Sequence, residues 1–143
     1  MKDIANRDDI DQLMLHFYGR ALSDDVIGYI FSDIAKLDLD HHLPIIGDFW
    51  ETILFQTNSY SKHGRNPMQV HGDLSLKEPL LLHHFERWLE IFTATVNETF
   101  AGDNAEFIKL RAKAIANRML EHVSHVSTRE TMLENAREAG RLS

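Results

Sequence analysis

Apolar side chains return along this chain every three or four residues, and nowhere do they alternate long enough to predict a sheet. From Asp8 to about Ser23 they fall at Ile10, Leu13, Met14, Phe17, Tyr18 and Ala21, the stripe of an amphipathic helix that Asp8 or Asp9 is placed to cap. Ser23-Asp24-Asp25 then reads as a turn or a second cap, and Val26 to Ile34 as a short buried helical piece. The next stripe is Leu43, Ile46, Phe49, Trp50, Ile53 and Leu54. Asp38 and Asp40 are polar and could cap it, but proline suits only the first helical turn, so Pro44 predicts a regular start near His42 or Leu43. Tyr60 to Leu76 is punctuated by Ser61, Gly64, Asn66 and Pro67 and reads as a loop, although Met68, Val70, Leu74 and Leu76 give it apolar anchors around His71. Glu78 to Phe100 predicts the most apolar helix, with Leu81, Leu82, Phe85, Trp88, Leu89, Phe92 and Val96. Ala101-Gly102-Asp103 breaks it. Asp103 or Asn104 opens another helix, with Phe107, Ile108, Ala112, Ile115, Met119 and Leu120 along one side. The pattern predicts an all-α fold with a folded unit over residues 1–126 and a charged extension over 127–143, whose apolar stripe is only Met132, Leu133 and Ala136.

Composition narrows the chemistry. The 143 residues suffice for one domain with a real core. With 43% hydrophobic and 26% charged residues the chain is globular in character. It has no cysteine, which excludes disulfides, thiolate-held metals and cysteine catalysis. A net charge of −7 lacks the concentrated basic face that phosphate backbones require, so no nucleic-acid partner is expected. No apolar run approaches the roughly 20 residues that span a bilayer, and MKDIANRDDID has no signal-peptide core. The expectation is a cytoplasmic protein without a membrane partner. Serine-hydrolase and phosphate-loop motifs are missing as well.

Two features remain. Nine histidines include the pairs His41-His42 and His83-His84, and His122 lies three before His125. Adjacent residues on a helix point about 100° apart, and no metalloprotease or Glu-x-x-His pattern accompanies the pairs, so solvated or capping histidines explain most of them better than a non-haem metal site. The second feature is aromatic. Phe17-Tyr18, Phe49-Trp50 and Phe85…Trp88…Phe92 lie on the apolar faces of three predicted helices. Such spacing is ordinary core, but Tyr18, Trp88 and His42 each carry a polar hydrogen that needs a partner if buried. Core and polar-ligand pocket both fit.

Taken in order, these residues resemble a known family. Phe17-Tyr18, then Ile27-Gly28-x-Ile30-Phe31, then His42 with Ile46 and Phe49-Trp50, then Tyr60, Pro67 and His71, then Phe85-x-x-Trp88-Leu89 look like a truncated haemoglobin of the third, bacterial group. The likeness covers about residues 5 to 122. Like that group, the chain lacks the Gly-Gly motifs of other truncated globins. Pro44 and the charged extension have no counterpart in the pattern.

The resemblance implies a two-over-two helical sandwich around haem b, an iron protoporphyrin IX. It implies His71 as the proximal ligand to the haem iron, with Tyr18, His42, Ile46 and Trp88 lining the distal side. Phe49, Phe85 and Phe92 would be apolar walls around the porphyrin. A phenol and an indole N–H facing a ligand that gathers negative charge would slow its release. The implied function is reversible binding of oxygen, carbon monoxide and nitric oxide, as in oxygen transport. Nitric oxide dioxygenation or peroxide turnover would need an external electron donor. Two other readings stand beside it: a cofactor-free helical interaction protein whose aromatic stripes are only core, and a non-haem metal protein using the histidine pairs.

Overall fold

A computed structural model of the chain describes residues 1–34, 36–57 and 80–142, and among these the fold is all-α. Helix α1 spans Arg7–Leu22, α2 Leu39–Phe55, α3 Leu82–Thr99 and α4 Asp103–Leu142. α1 packs against both α2 and α3, and α3 packs against α4.

α1 buries the stripe that its period predicts: Ile10, Leu13, Met14, Phe17, Tyr18 and Ala21. Its cap lies earlier than expected. The Asn6 side chain accepts from the Asp9 N–H at 3.0 Å, which leaves Asp8 and Asp9 inside the first turn, where carboxylates favour the positive end of the helix dipole. The piece after α1 ends in one π-helical turn, Ile30–Ile34, and this turn sets Phe31 edge-on to Tyr18 with ring centroids 6.0 Å apart.

α2 also starts before its predicted residue. Asp38 is its N-cap residue, and the His42 N–H donates to the Asp38 carbonyl at 2.9 Å. Pro44 therefore sits in the second turn, where its missing N–H leaves the bond to the Asp40 carbonyl unmade. α3 starts later than the Glu78 expected of it, because Leu81 is extended and donates its N–H to Nδ1 of His84 at 2.9 Å. Residues 78 and 79 lie outside the described residues.

The junction between α3 and α4 falls on the predicted break. Gly102 has φ +139, a backbone that side chains rarely adopt, and an added Cβ would lie 2.5 Å from Cγ of Asp3. That approach lets the Asp3 carboxylate cap α4 from the other end of the chain, accepting from the N–H groups of Asn104 and Ala105 at 2.9 Å each. Ile4, fully buried, and the Asn104 side chain, which donates to the Ile4 carbonyl at 2.7 Å, complete the junction. Along α4 the buried residues among those described are Ala105, Ile108, Ala112, Ile115, Ala116 and Val123. Phe107, expected on that side, is 42% exposed, since it lies about 100° around the helix from Ile108. α4 continues without interruption past position 126 to Leu142.

Candidate functional site

The aromatic residues of α1, α2 and α3 meet in one cluster. Phe17, 1% exposed, stands edge-on to three rings at once: Tyr18 at 5.0 Å, Trp88 at 5.7 Å and Phe92 at 5.4 Å. Trp88 stacks on Phe92 at 5.3 Å, and Phe92 continues to Trp50 at 5.3 Å and thence to Phe49. Helical spacing explains why these positions converge, since Trp88 and Phe92 are one turn apart on α3 while Phe17 faces them from α1. Edge-to-face pairs of this kind contribute about 0.5–1.5 kcal/mol each beyond area burial.

One polar pair lies within this apolar setting. Oη of Tyr18 and Nε2 of His42 are 2.9 Å apart, and the two rings meet edge-on. Burial of Tyr18 pushes its phenol above the usual phenol range, so it keeps its proton at any physiological pH. The pair has two arrangements. With the proton of His42 on the other ring nitrogen, the phenol donates to Nε2. With it on Nε2, His42 donates to the phenol oxygen and the phenol O–H is directed elsewhere.

Trp88 supplies a second donor. Its indole N–H has no hydrogen-bond partner among the described residues, and no buried side-chain polar atom there is left unsatisfied, so this N–H faces accessible space. The apolar neighbours share that openness. Phe31, Leu43, Ile46, Phe49, Phe85 and Trp88 pack against the core yet are only partly buried. Such a fringe of half-covered apolar surface suits a large, flat apolar ligand, and the clustered donors suit a polar group beyond it.

The structure thus brings Tyr18 and His42 into contact and links Tyr18 to Trp88 through Phe17. Ile46 follows His42 by one turn of α2, and Phe49 lies one turn further on the same side. Phe85 precedes Trp88 by three residues on α3 and is half-buried. Phe92 is enclosed, 1% exposed, behind Trp88. His71 lies outside the described residues, as do Tyr60 and Pro67. Among the described residues no group of three or more His, Asp or Glu side chains is arranged to hold a metal ion. His84 is committed to Leu81 through Nδ1, so its Nε2–H faces the Tyr29 hydroxyl, 3.2 Å away. His41 and His83 are exposed.

Sequence reasoning missed Arg7. Its guanidinium bonds Asp11 at 2.8 Å, Asp48 at 2.5 Å, Glu51 at 3.4 Å and the Pro44 carbonyl at 3.1 Å. The acidic positions 48 and 51, on a helix otherwise predicted apolar, were the one signal of a cation opposite them.

No family model matches the chain. A curated protein, the group 3 truncated haemoglobin ctb of Campylobacter jejuni, is 30% identical over 118 residues, covering 80% of this chain and 88% of that protein. The crystal structure of the group III truncated haemoglobin from Campylobacter jejuni matches with a TM-score of 0.73 at 28% identity, covering 86% of this chain and 95% of that one.

Proposed function

The chain belongs to the group III truncated haemoglobins, and we propose that it holds haem b and reversibly binds oxygen, carbon monoxide and nitric oxide. Membership implies a haem-binding globin with the two-over-two helical sandwich. The observation that carries the ligand reading is the Tyr18–His42 hydrogen bond set in an aromatic enclosure beside the accessible Trp88 N–H. His71 would hold the iron on the proximal side, with its other ring nitrogen donating to a nearby acceptor to fix the ring. Phe49 and Phe85 would face the porphyrin, with Phe92 backing Trp88. When bound, haem would supply a redox-active iron able to take up a diatomic ligand.

The residues of this chain would then decide how a ligand on the distal side is held. Tyr18, held neutral by burial, donates when His42 carries its proton on Nε2, and Trp88 donates in either case. Ile46 keeps the space apolar, so each donor acts in a low dielectric. Losing one donor to a charged acceptor costs on the order of 1–3 kcal/mol, roughly ten- to a hundredfold in release rate. Slow release favours nitric oxide or peroxide chemistry over delivery, with an external electron donor sustaining turnover. Within this reading residues 1–126 form the globin unit, 127–143 an extension, and the protein works in the cytoplasm. Among the described residues no helix is long and apolar enough to cross a membrane.

Absorption spectra of the haem-supplemented protein, oxidised, reduced and carbonylated, test the proposal beside His71→Ala. A Soret band that shifts with carbon monoxide is expected, with altered iron ligation in the variant. A parent that retains no haem overturns the reading and leaves the aromatic cluster as core.

A further inference from the structure

Helix α2 presents two opposite sides. At 100° per residue, His42, Ile46, Phe49 and Ile53 share one side, while Pro44, Gly47, Asp48 and Glu51 share another, roughly 180° away. The first carries the candidate site. The second is gripped by Arg7, the first residue of α1, whose guanidinium spans the Pro44 carbonyl, Asp48 and Glu51 and is itself braced by Asp11 one turn along its own helix.

Two details show that this grip is built for close approach. A Cβ added at Gly47 would meet Nη2 of Arg7 at 2.7 Å, Oδ1 of Asp11 at 2.8 Å and Nε of Arg7 at 2.9 Å. Glycine is the residue that lets the guanidinium lie on the α2 backbone. Asp48 is 7% exposed, which makes its ion pair with Arg7 far less screened than an ordinary surface pair.

Proline makes the grip consequential. The missing N–H of Pro44 interrupts the α2 ladder between the turn that bears His42 and the rest of the helix. α1 touches both sides of that interruption: Tyr18 holds His42 above it, and Arg7 holds Pro44, Asp48 and Glu51 at and below it. Two attachments on one helix, on either side of Pro44, fix how α1 crosses α2. We propose that Arg7 is a positioning residue for the Tyr18–His42 pair, clamping α2 at Pro44 so that His42 meets the phenol in a single geometry. Its consequence for ligand release rests on the haem reading, while its geometric part is independent of haem.

The test compares the parent with Arg7→Met, Arg7→Lys and Gly47→Ala. Nitrogen-15 NMR of the His42 ring is recorded in the haem-free protein, and the C–O stretching band and oxygen release rate in the haem-loaded protein. Arg7→Met is expected to average the His42 nitrogen signals, split the C–O band and quicken oxygen release by roughly tenfold. Arg7→Lys keeps the charge but not the fork, so it should fall between the two. Gly47→Ala keeps every charge and pushes the guanidinium off the α2 backbone, so it should move the His42 signals and the C–O band in the same direction as Arg7→Met but by less, even if Arg7→Met does not fold. A folded Arg7→Met or Gly47→Ala with parental His42 signals and an unmoved C–O band, whatever its unfolding midpoint, overturns the proposal. If the parent takes up no haem the functional reading fails by itself, and the His42 signals alone decide the clamp.

Discussion

The two ends of α1 enclose hydrogen-bonding groups in opposite ways. At the amino end, Asp3, Ile4, Asn104 and Ala105 satisfy one another, and Gly102 removes the side chain that would stand in the way. At the carboxyl end, Tyr18 and His42 bond each other, and Trp88 has an N–H with no protein partner among the described residues. Both regions rest on the same apolar core. A closed set of polar partners specifies how segments join. An open set, surrounded by half-covered aromatic surface, leaves capacity for a third party.

The contrast can be broken most severely at Phe17, the ring shared by Tyr18, Trp88 and Phe92. Phe17→Ala should lower unfolding free energy by about 3–5 kcal/mol in denaturant titrations, because a fully enclosed aromatic leaves a cavity. At the closed end, Gly102→Ala should cost about 1–3 kcal/mol through backbone strain and crowding against Asp3. Asp3→Ala should cost about 1 kcal/mol, the usual loss of a helix cap, with oxygen release unchanged. A change in release from Asp3→Ala would show that the two ends are coupled.

Acid sharpens the difference further. Burial pushes the Asp3 carboxyl up, but the N–H groups of Asn104 and Ala105 pull it below the ordinary carboxylate value. Asp24 is likewise held low, chiefly by its hydrogen bonds to Arg87 at 2.7 and 2.9 Å. A carboxyl depressed in the folded state stabilises fully above its unfolded pKa of about 3.9 and loses that contribution as pH falls through the lower folded value. Unfolding midpoints should therefore hold steady down to about pH 4 and decline below it, and Asp24→Asn should flatten that decline. A decline of the same steepness in Asp24→Asn would remove this carboxylate from the explanation.

Much of this architecture was legible in the period of apolar residues, because burial of one helical face dominates over local preference. The α1 stripe, the Gly102 break and the meeting of three aromatic helices all follow from it. Boundaries were less legible. Pro44 argued for a later start to α2, yet the helix begins at Leu39, with the Pro44 carbonyl held by Arg7 across from α1. Partners distant in sequence were illegible: nothing local ties Asp3 to Asn104 or Arg7 to Asp48, since those pairings exist only after the helices pack. The Tyr18–His42 contact lay between, because the ordered likeness to truncated haemoglobins named both residues but no spacing rule joined them.

The most direct measurement is the oxygen release rate of the haem-loaded protein against that of Tyr18→Phe, with carbon monoxide release recorded on the same samples. If the open end of α1 is the ligand-recognising end, the variant should release oxygen on the order of ten to a hundred times faster. Carbon monoxide, less polar when bound, should change much less. Equal oxygen release from parent and variant would contradict the role assigned to Tyr18 and leave its bond to His42 a feature of packing.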